Sequence, residues 1–209
     1  MPYRGLTLIG LTGNIACGKS TVLQLLHTHG AATIDADAVT HALQQPGQPV
    51  YQAIVAAFGD AILSAPGGPI DRRRLAAIVF ADPAELRRLE QIVHPAVHAH
   101  LHAWLAQRAA EAPGSVAVID AVKLLEAGWK PLCDAVWVVT CTPEQQLARL
   151  VESRGMTPAE AEQRIAAQPS QAARVAQADL VIDNSGSLAA TAAQVAAGWQ
   201  ALQANRRQG

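Results

Sequence analysis

Five short apolar runs punctuate the chain, with helical patterns between them. Leu6-Thr7-Leu8-Ile9-Gly10-Leu11 is nearly continuous and of strand length, as expected of a strand buried on both faces in a parallel sheet. Ala32-Thr33-Ile34, Val116-Ala117-Val118-Ile119-Asp120, Ala135-Val136-Trp137-Val138-Val139-Thr140 and Leu180-Val181-Ile182 read as four more strands. A helix is predicted from Lys19 to about His29, stopped by Gly30. Thr142 followed by Pro143 is an N-cap with a first-turn proline and opens a helix to about Ser153. Thr157-Pro158-Ala159-Glu160 is a capping box that opens another. An Ala-rich helix is predicted from about Leu188 to Ala204, with Arg206 to Gly209 frayed. Strands alternating with helices predict an α/β fold built on a mostly parallel sheet.

Residues 38–115 break the alternation. Their patterning is helical, without a clear strand, and breaks fall at Pro46-Gly47, at Ser64 to Pro69 and at Pro113-Gly114. The reading is a core of residues 1–37 and 116–209, with residues 38–115 as a helical insertion on one side of the sheet. Within the core, residues from about 151 to 168 are polar and Arg-containing between two buried strands. That suits a lid over a ligand.

Composition then narrows the class. The chain has 209 residues and is 50% hydrophobic, yet 43 residues are Ala and the four Trp, two Tyr and two Phe make only eight aromatics. Ala favours helix and buries little area, so the core is lean in large side chains. Sixteen Lys and Arg against seventeen Asp and Glu leave a net charge of −1. That argues against a nucleic-acid partner held by a broad basic surface, and it supports a membrane surface no better. Cys17, Cys133 and Cys141 are odd in number and form no CxxC, which fits a reducing compartment rather than a disulfide framework. The apolar run after Met1-Pro2-Tyr3-Arg4 is too short for a signal peptide, and no segment reaches the ~18–20 apolar residues of a membrane span. The expectation is a cytoplasmic protein, monomeric or a small homo-oligomer.

One motif carries chemistry. Gly13-Asn14-Ile15-Ala16-Cys17-Gly18-Lys19-Ser20 fits the phosphate-loop pattern G-x-x-x-x-G-K-[ST], between a buried strand and a helix. Gly13 and Gly18 let the backbone turn so that its N–H groups converge on phosphate oxygens. The helix start adds free N–H donors and its dipole. Lys19 would reach the β- and γ-phosphates of ATP, Ser20 would ligate Mg²⁺, and Thr21 would face the α-phosphate. Only three residues of the chain are Lys, so a lysine at this position is poorly explained as a solubilising charge.

The guanine-reading Asn-Lys-x-Asp segment of a GTPase is absent. A small phosphoryl-transfer kinase needs an acceptor-activating carboxylate, cations and a cover. Asp35 and Asp37, just after the second strand, offer the carboxylate, or cap the helix that begins near Val39. Arg149, Arg154 and Arg164 offer cations, or line a solvated helix face with pairs such as Glu160 and Arg164. Arg174 is open between the same two roles. Asp120 would hold Mg²⁺ through water or cap the turn after its strand.

These residues resemble the dephospho-coenzyme A kinase family along the whole chain. The resemblance runs through Gly10-Leu11-Thr12-Gly13, Ile34-Asp35-Ala36-Asp37, Ile70-Asp71-Arg72 with Leu75, Val79-Phe80 and Ile92-Val93-His94-Pro95. It continues through Leu124-Leu125-Glu126, Arg149 with Arg154-Gly155, Arg164 to Gln168, and Ala178-Asp179 with Ile182-Asp183-Asn184-Ser185-Gly186. It implies a P-loop nucleotide core, an acceptor domain and a lid, and ATP-dependent phosphorylation of the ribose 3′-hydroxyl of dephospho-coenzyme A. It implies Asp37 as base and Arg149 as a contact to ATP phosphates. Asn14, Ala16 and Cys17 stand where Gly, Gly and Ser are more usual, and Lys123 stands in an otherwise apolar stretch. Lys123 and Arg72 are candidate contacts to the acceptor and its phosphates, or surface groups. His94 shapes the acceptor site or a helix start.

Two further features carry expectations. His94, His98, His100 and His102 lie on one predicted helix with i,i+4 spacings, as a metal cluster or as a solvated face. Cys17 lies at a helix N-terminus, where a thiol pKa can be depressed, and redox control of the loop is a hypothesis that this position raises. Two other readings of the chain stay open: another small nucleoside or metabolite kinase, and an ATP-binding regulatory module without turnover.

Overall fold

The computed structural model describes residues 5–208, with side chains through residue 204. The readings on Met1 to Arg4 and on Gly209 lie outside the described residues. Strands β1 (Thr7–Gly13), β2 (Ala32–Asp35), β3 (Val116–Asp120), β4 (Ala135–Thr140) and β5 (Leu180–Asp183) form one sheet in the order β2-β3-β1-β4-β5. The β1–β3, β1–β4 and β4–β5 pairs are parallel. The chain therefore crosses over β1 between β3 and β4, and in such sheets ligands bind outside the carboxyl end of the strand where the winding changes direction.

The three inner strands are buried at every position, whereas the two outer ones alternate. An edge strand has a neighbour on one side only, so Val181 of the Leu180-Val181-Ile182 run is exposed. The lean core is completed by helices. Val22 and Leu26 of α1 (Lys19–Thr28) and Val195 of α9 (Leu188–Gln208) pack with Ile9, Leu11, Val118, Trp137 and Val139. Helix α9 continues past Ala204 to Gln208, beyond the predicted end.

The chain divides into two compact units, residues 1–34 with 108–209, and residues 35–107. The first holds the sheet, α1, α6 (Pro143–Arg154), α7 (Pro158–Ala166), α8 (Gln171–Val175) and α9. Thr142 and Thr157 cap α6 and α7 as predicted, and Glu160 completes the capping box. Hydrogen bonds from the Thr157 N–H and hydroxyl hold the Glu160 carboxyl below the usual carboxylate range.

The second unit holds α2 (Ala36–Leu43), α3 (Pro49–Phe58), α4 (Arg72–Ala81) and most of α5 (Pro83–Glu111). Its one recorded β contact among the described residues is the Leu63–Ile70 bridge. Helix α5 runs unbroken through Pro95, so His94-Pro95 does not start a helix. Pro95 removes one backbone donor inside it.

Candidate functional site

At the carboxyl end of β1 lies a cleft of about 540 Å³. Asn14, Ala16, Gly18, Lys19, Ser20 and Thr21 line one side, and Asp120 closes it from β3. Arg149, Ser153 and Arg154 come from α6, and Asn184, Gly186 and Leu188 from the β5–α9 turn.

The backbone dictates the loop's residues. Gly18 lies at φ +90°, and a Cβ there would stand 2.0 Å from Asn184 Nδ2. A Cβ on Gly13 would stand 2.5 Å from the Val139 carbonyl oxygen. Helix α1 starts at Gly18 with no side-chain cap and no acidic residue in its first turn. The first N–H groups of a helix have no partner within it. No acidic residue of the helix stands in that turn, and free N–H groups with the dipole at a helix start favour negative charge. Ala16 takes the left-handed region at φ 60°, a conformation that glycine adopts at less cost.

Side chains distant in sequence hold the loop from outside. The Ile15 N–H donates to Gln168 Oε1 at 2.8 Å, and Gln146 Nε2 donates to the Ile15 carbonyl at 2.7 Å. Asn184 Nδ2 donates to the Cys17 carbonyl at 2.9 Å, and Thr191 Oγ1 fixes the amide by donating to Asn184 Oδ1 at 2.9 Å. Arg149 donates to the Ala16 carbonyl at 3.2 Å and to the Asn184 carbonyl at 3.0 Å. It therefore anchors the loop while lining the cleft. Residue-level reading of the sequence did not single out Gln146, Gln168 or Asn184. Gln168 and Asn184 stand in segments that carry the family resemblance, which was the available signal. Gln146 sits in an ordinary amphipathic helix and leaves none.

Lys19 Nζ lies 3.5 Å from Asp120 Oδ1, both largely buried. The pair puts one cation and one hard oxygen donor in the cleft next to the Ser20 hydroxyl. Of the other predicted cations, Arg154 lines the cleft. Arg164 lies instead by a separate surface hollow with Gly155, Met156, Glu160 and Gln163. Lys123 is exposed on the turn after β3 and is not among the residues lining the cleft.

Cys17 overturns one expectation. Its Sγ lies 2.9 Å from Cys141 Sγ, and both thiols are buried. The hydrogen bond with Cys141, then burial, push the Cys17 thiol well above its ordinary range, not below it. The lowering expected from the helix N-terminus is outweighed. Burial, helped by Asp134 and Asp179, pushes the Cys133 thiol up to about 12.

The remaining candidates belong to the second unit. Asp35 caps α2, its carboxylate accepting from the Ala38 N–H at 2.9 Å. Asp37 is exposed in the first turn of α2, two residues past β2. Arg72 opens α4 and meets His41 of α2. Its neighbour Arg74 is engaged by Asp71 and by the Leu63 carbonyl. His94 is exposed on α5, and His98 and His102 stack obliquely at 6.1 Å. Among the described residues no three His, Cys, Asp or Glu come together as a metal site.

A parallel sheet with the G-x-x-x-x-G-K-[ST] loop between β1 and α1, and a lysine and a hydroxyl lining the cleft there, defines a P-loop kinase fold. The family model for dephospho-CoA kinase, CoaE, matches residues 7–190. A dephospho-CoA kinase of Symbiobacterium thermophilum is 50% identical over 194 residues, covering 93% of this chain and 80% of that one. One of Leifsonia xyli subsp. xyli is 45% identical over 195 residues, covering 93% and 98%. The crystal structure of TT1252 from Thermus thermophilus superposes with a TM-score of 0.83 at 30% identity, covering 95% of this chain and 98% of that one. The chain belongs to the dephospho-CoA kinase family, and it is a phosphotransferase with an alcohol acceptor.

Proposed function

We propose that the chain transfers the γ-phosphoryl group of ATP to the ribose 3′-hydroxyl of dephospho-coenzyme A, giving coenzyme A and ADP in the final step of coenzyme A synthesis. The observation that supports this most is the uncapped start of α1 behind the loop of residues 13–20. Lys19, Arg149 and Arg154 face the same cleft, in a chain of this family.

Phosphoryl transfer asks a protein mainly for positioning and for positive charge where negative charge is spread. Backbone N–H groups at the start of α1, Gly18 to Ser20, take the β- and γ-phosphate oxygens, and Thr21 sits toward the α-phosphate. Lys19 exchanges its pairing with Asp120 for the phosphates. Arg149 turns its remaining N–H donors to the transferring group. Asp37 accepts the proton of the attacking hydroxyl. The Ser20 hydroxyl is the hard oxygen donor that would hold Mg²⁺, and the Asp120 carboxylate would assist it through water. When bound, Mg²⁺ offsets charge on the β- and γ-phosphates.

Residues 38–115 supply the acceptor-binding part, with Arg72 and His94 as contacts, and Lys123 serves the acceptor from the core. Residues from about 151 to 168 act as the lid. Three free cysteines favour a reducing, cytoplasmic setting, and we take the enzyme as a monomer or small homo-oligomer. Among the described residues no helix is long and apolar enough to cross a membrane.

The test is ADP release from ATP and Mg²⁺ with a panel of acceptors. Release with dephospho-coenzyme A, and formation of coenzyme A, is expected. Release only with a nucleoside or another small metabolite, or ATP binding with no release for any acceptor, would overturn the assignment.

A further inference from the structure

Arg174 is 2% exposed, and its guanidinium does not line the cleft. It stands on the five-residue helix α8, yet the bonds of its guanidinium all leave that helix. Nε donates to Asn14 Oδ1 at 2.9 Å, and Nη1 to Thr12 Oγ1 at 3.2 Å and to the Val122 carbonyl at 2.8 Å. Nη2 donates to Glu126 Oε1 at 3.0 Å. Thr12 closes the ring by donating to the same Val122 carbonyl at 3.1 Å.

A buried charge is retained only when its donors are met, because an unmet one costs the full desolvation penalty. Among the described residues its charged partner is Glu126, whose side chain is 39% exposed. The other three acceptors are neutral and come from the end of β1, the phosphate loop and the turn after β3. A helix of five residues does not need such a network to form. The planar fork of an arginine can bridge three segments at once, which the point charge of a lysine cannot. Asn14 is the member that faces the cleft. With Oδ1 taken by Arg174, its Nδ2 is turned to the Pro169 carbonyl at 3.2 Å, so both ends of the amide are pinned.

We propose that Arg174 is a positioning residue for nucleotide binding. Through Asn14 it sets the opening turn of the phosphate loop, and through Val122 and Glu126 it ties that turn to the segment after β3. The proposal rests on the cleft being an ATP site.

The test is ADP affinity by calorimetry for Arg174→Lys, Asn14→Ala and the double variant, with Glu126→Gln as a second approach to the same guanidinium. Losing charge-assisted bonds that orient the loop should weaken ADP binding by about tenfold in Arg174→Lys. Asn14→Ala added to Arg174→Lys should cost little more, because two residues acting through one contact are not additive. Glu126→Gln should weaken ADP binding in the same direction. A merely structural role would lower the melting temperature and leave the dissociation constant of the folded protein unchanged. An ADP affinity for Arg174→Lys within twofold of the wild type, or losses that multiply in the double variant, would overturn the proposal. The readout needs no turnover. Failure of the acceptor assignment would therefore show as normal ADP binding without coenzyme A formation, a different result.

Discussion

Single residues decide how the phosphate loop sits. Ala16 occupies a left-handed conformation that costs an L-residue about 1–2 kcal/mol. Ala16→Gly removes that cost and adds back about 0.4–1 kcal/mol of unfolded-state entropy. The strain wins, and a rise in melting temperature of about 1–3 °C is expected by calorimetry. A fall would show that the Ala16 methyl makes contacts worth more than the strain. Cys133 predicts a pH effect. Its thiol is raised to about 12 in the folded chain, against about 8.5 unfolded. The neutral thiol is favoured in the folded state, so its contribution is whole below pH 8.5 and is lost as pH rises toward 12. Thermal melts from pH 8 to 11 should fall less steeply in Cys133→Ala than in the wild type.

At the scale of elements, β2 runs straight into α2, and two aspartates share the junction with different work. Asp35 caps the helix, so Asp35→Ala should cost about 1 kcal/mol of stability, seen in denaturant unfolding, with kcat largely kept. Asp37 is exposed in the first turn of α2, and the N-cap position is held by Asp35. Asp37→Asn should leave stability near the wild type and lower kcat far more than it weakens ATP binding. Equal losses in kcat and ATP affinity would remove the proposed base. The sequence placed both residues after a strand, and the family resemblance pointed to Asp37 as base; which one caps α2 stayed open, since either aspartate has the side chain of an N-cap. The division lies in which carboxylate reaches the Ala38 N–H. Helix starts were legible because caps are local: Thr142 and Thr157 act where the spacing put them. The end of α9 was less legible, because its last turns carry no strong stop signal and the helix runs on past Ala204.

For the whole molecule, a net charge of −1 serves a chain whose substrates are polyanions. The cations are concentrated locally on Lys19, Arg149, Arg154 and the α1 terminus. Ligand binding to the folded state alone stabilises by about 2.7 kcal/mol at a hundredfold excess over Kd. ATP at that excess should therefore raise the melting transition by roughly 5–10 °C. Lys19→Ala should abolish most of the shift and the turnover with it. A full shift in Lys19→Ala would place the nucleotide elsewhere.

The sequence alone determined the alternation of strands and helices, the helical interruption, the phosphate loop and its family. Each is written in short-range terms: hydrophobic period, capping chemistry, and the glycines that a tight loop demands. The tertiary structure alone decided how that loop is held. Gln146, Gln168, Arg174 and Asn184 reach it from more than a hundred residues away. Cys141 raises the Cys17 thiol that its helix end would have lowered, and Asp120 at the end of β3 meets Lys19 at the start of α1. Such pairings depend on which strands lie side by side, and no local pattern encodes that order.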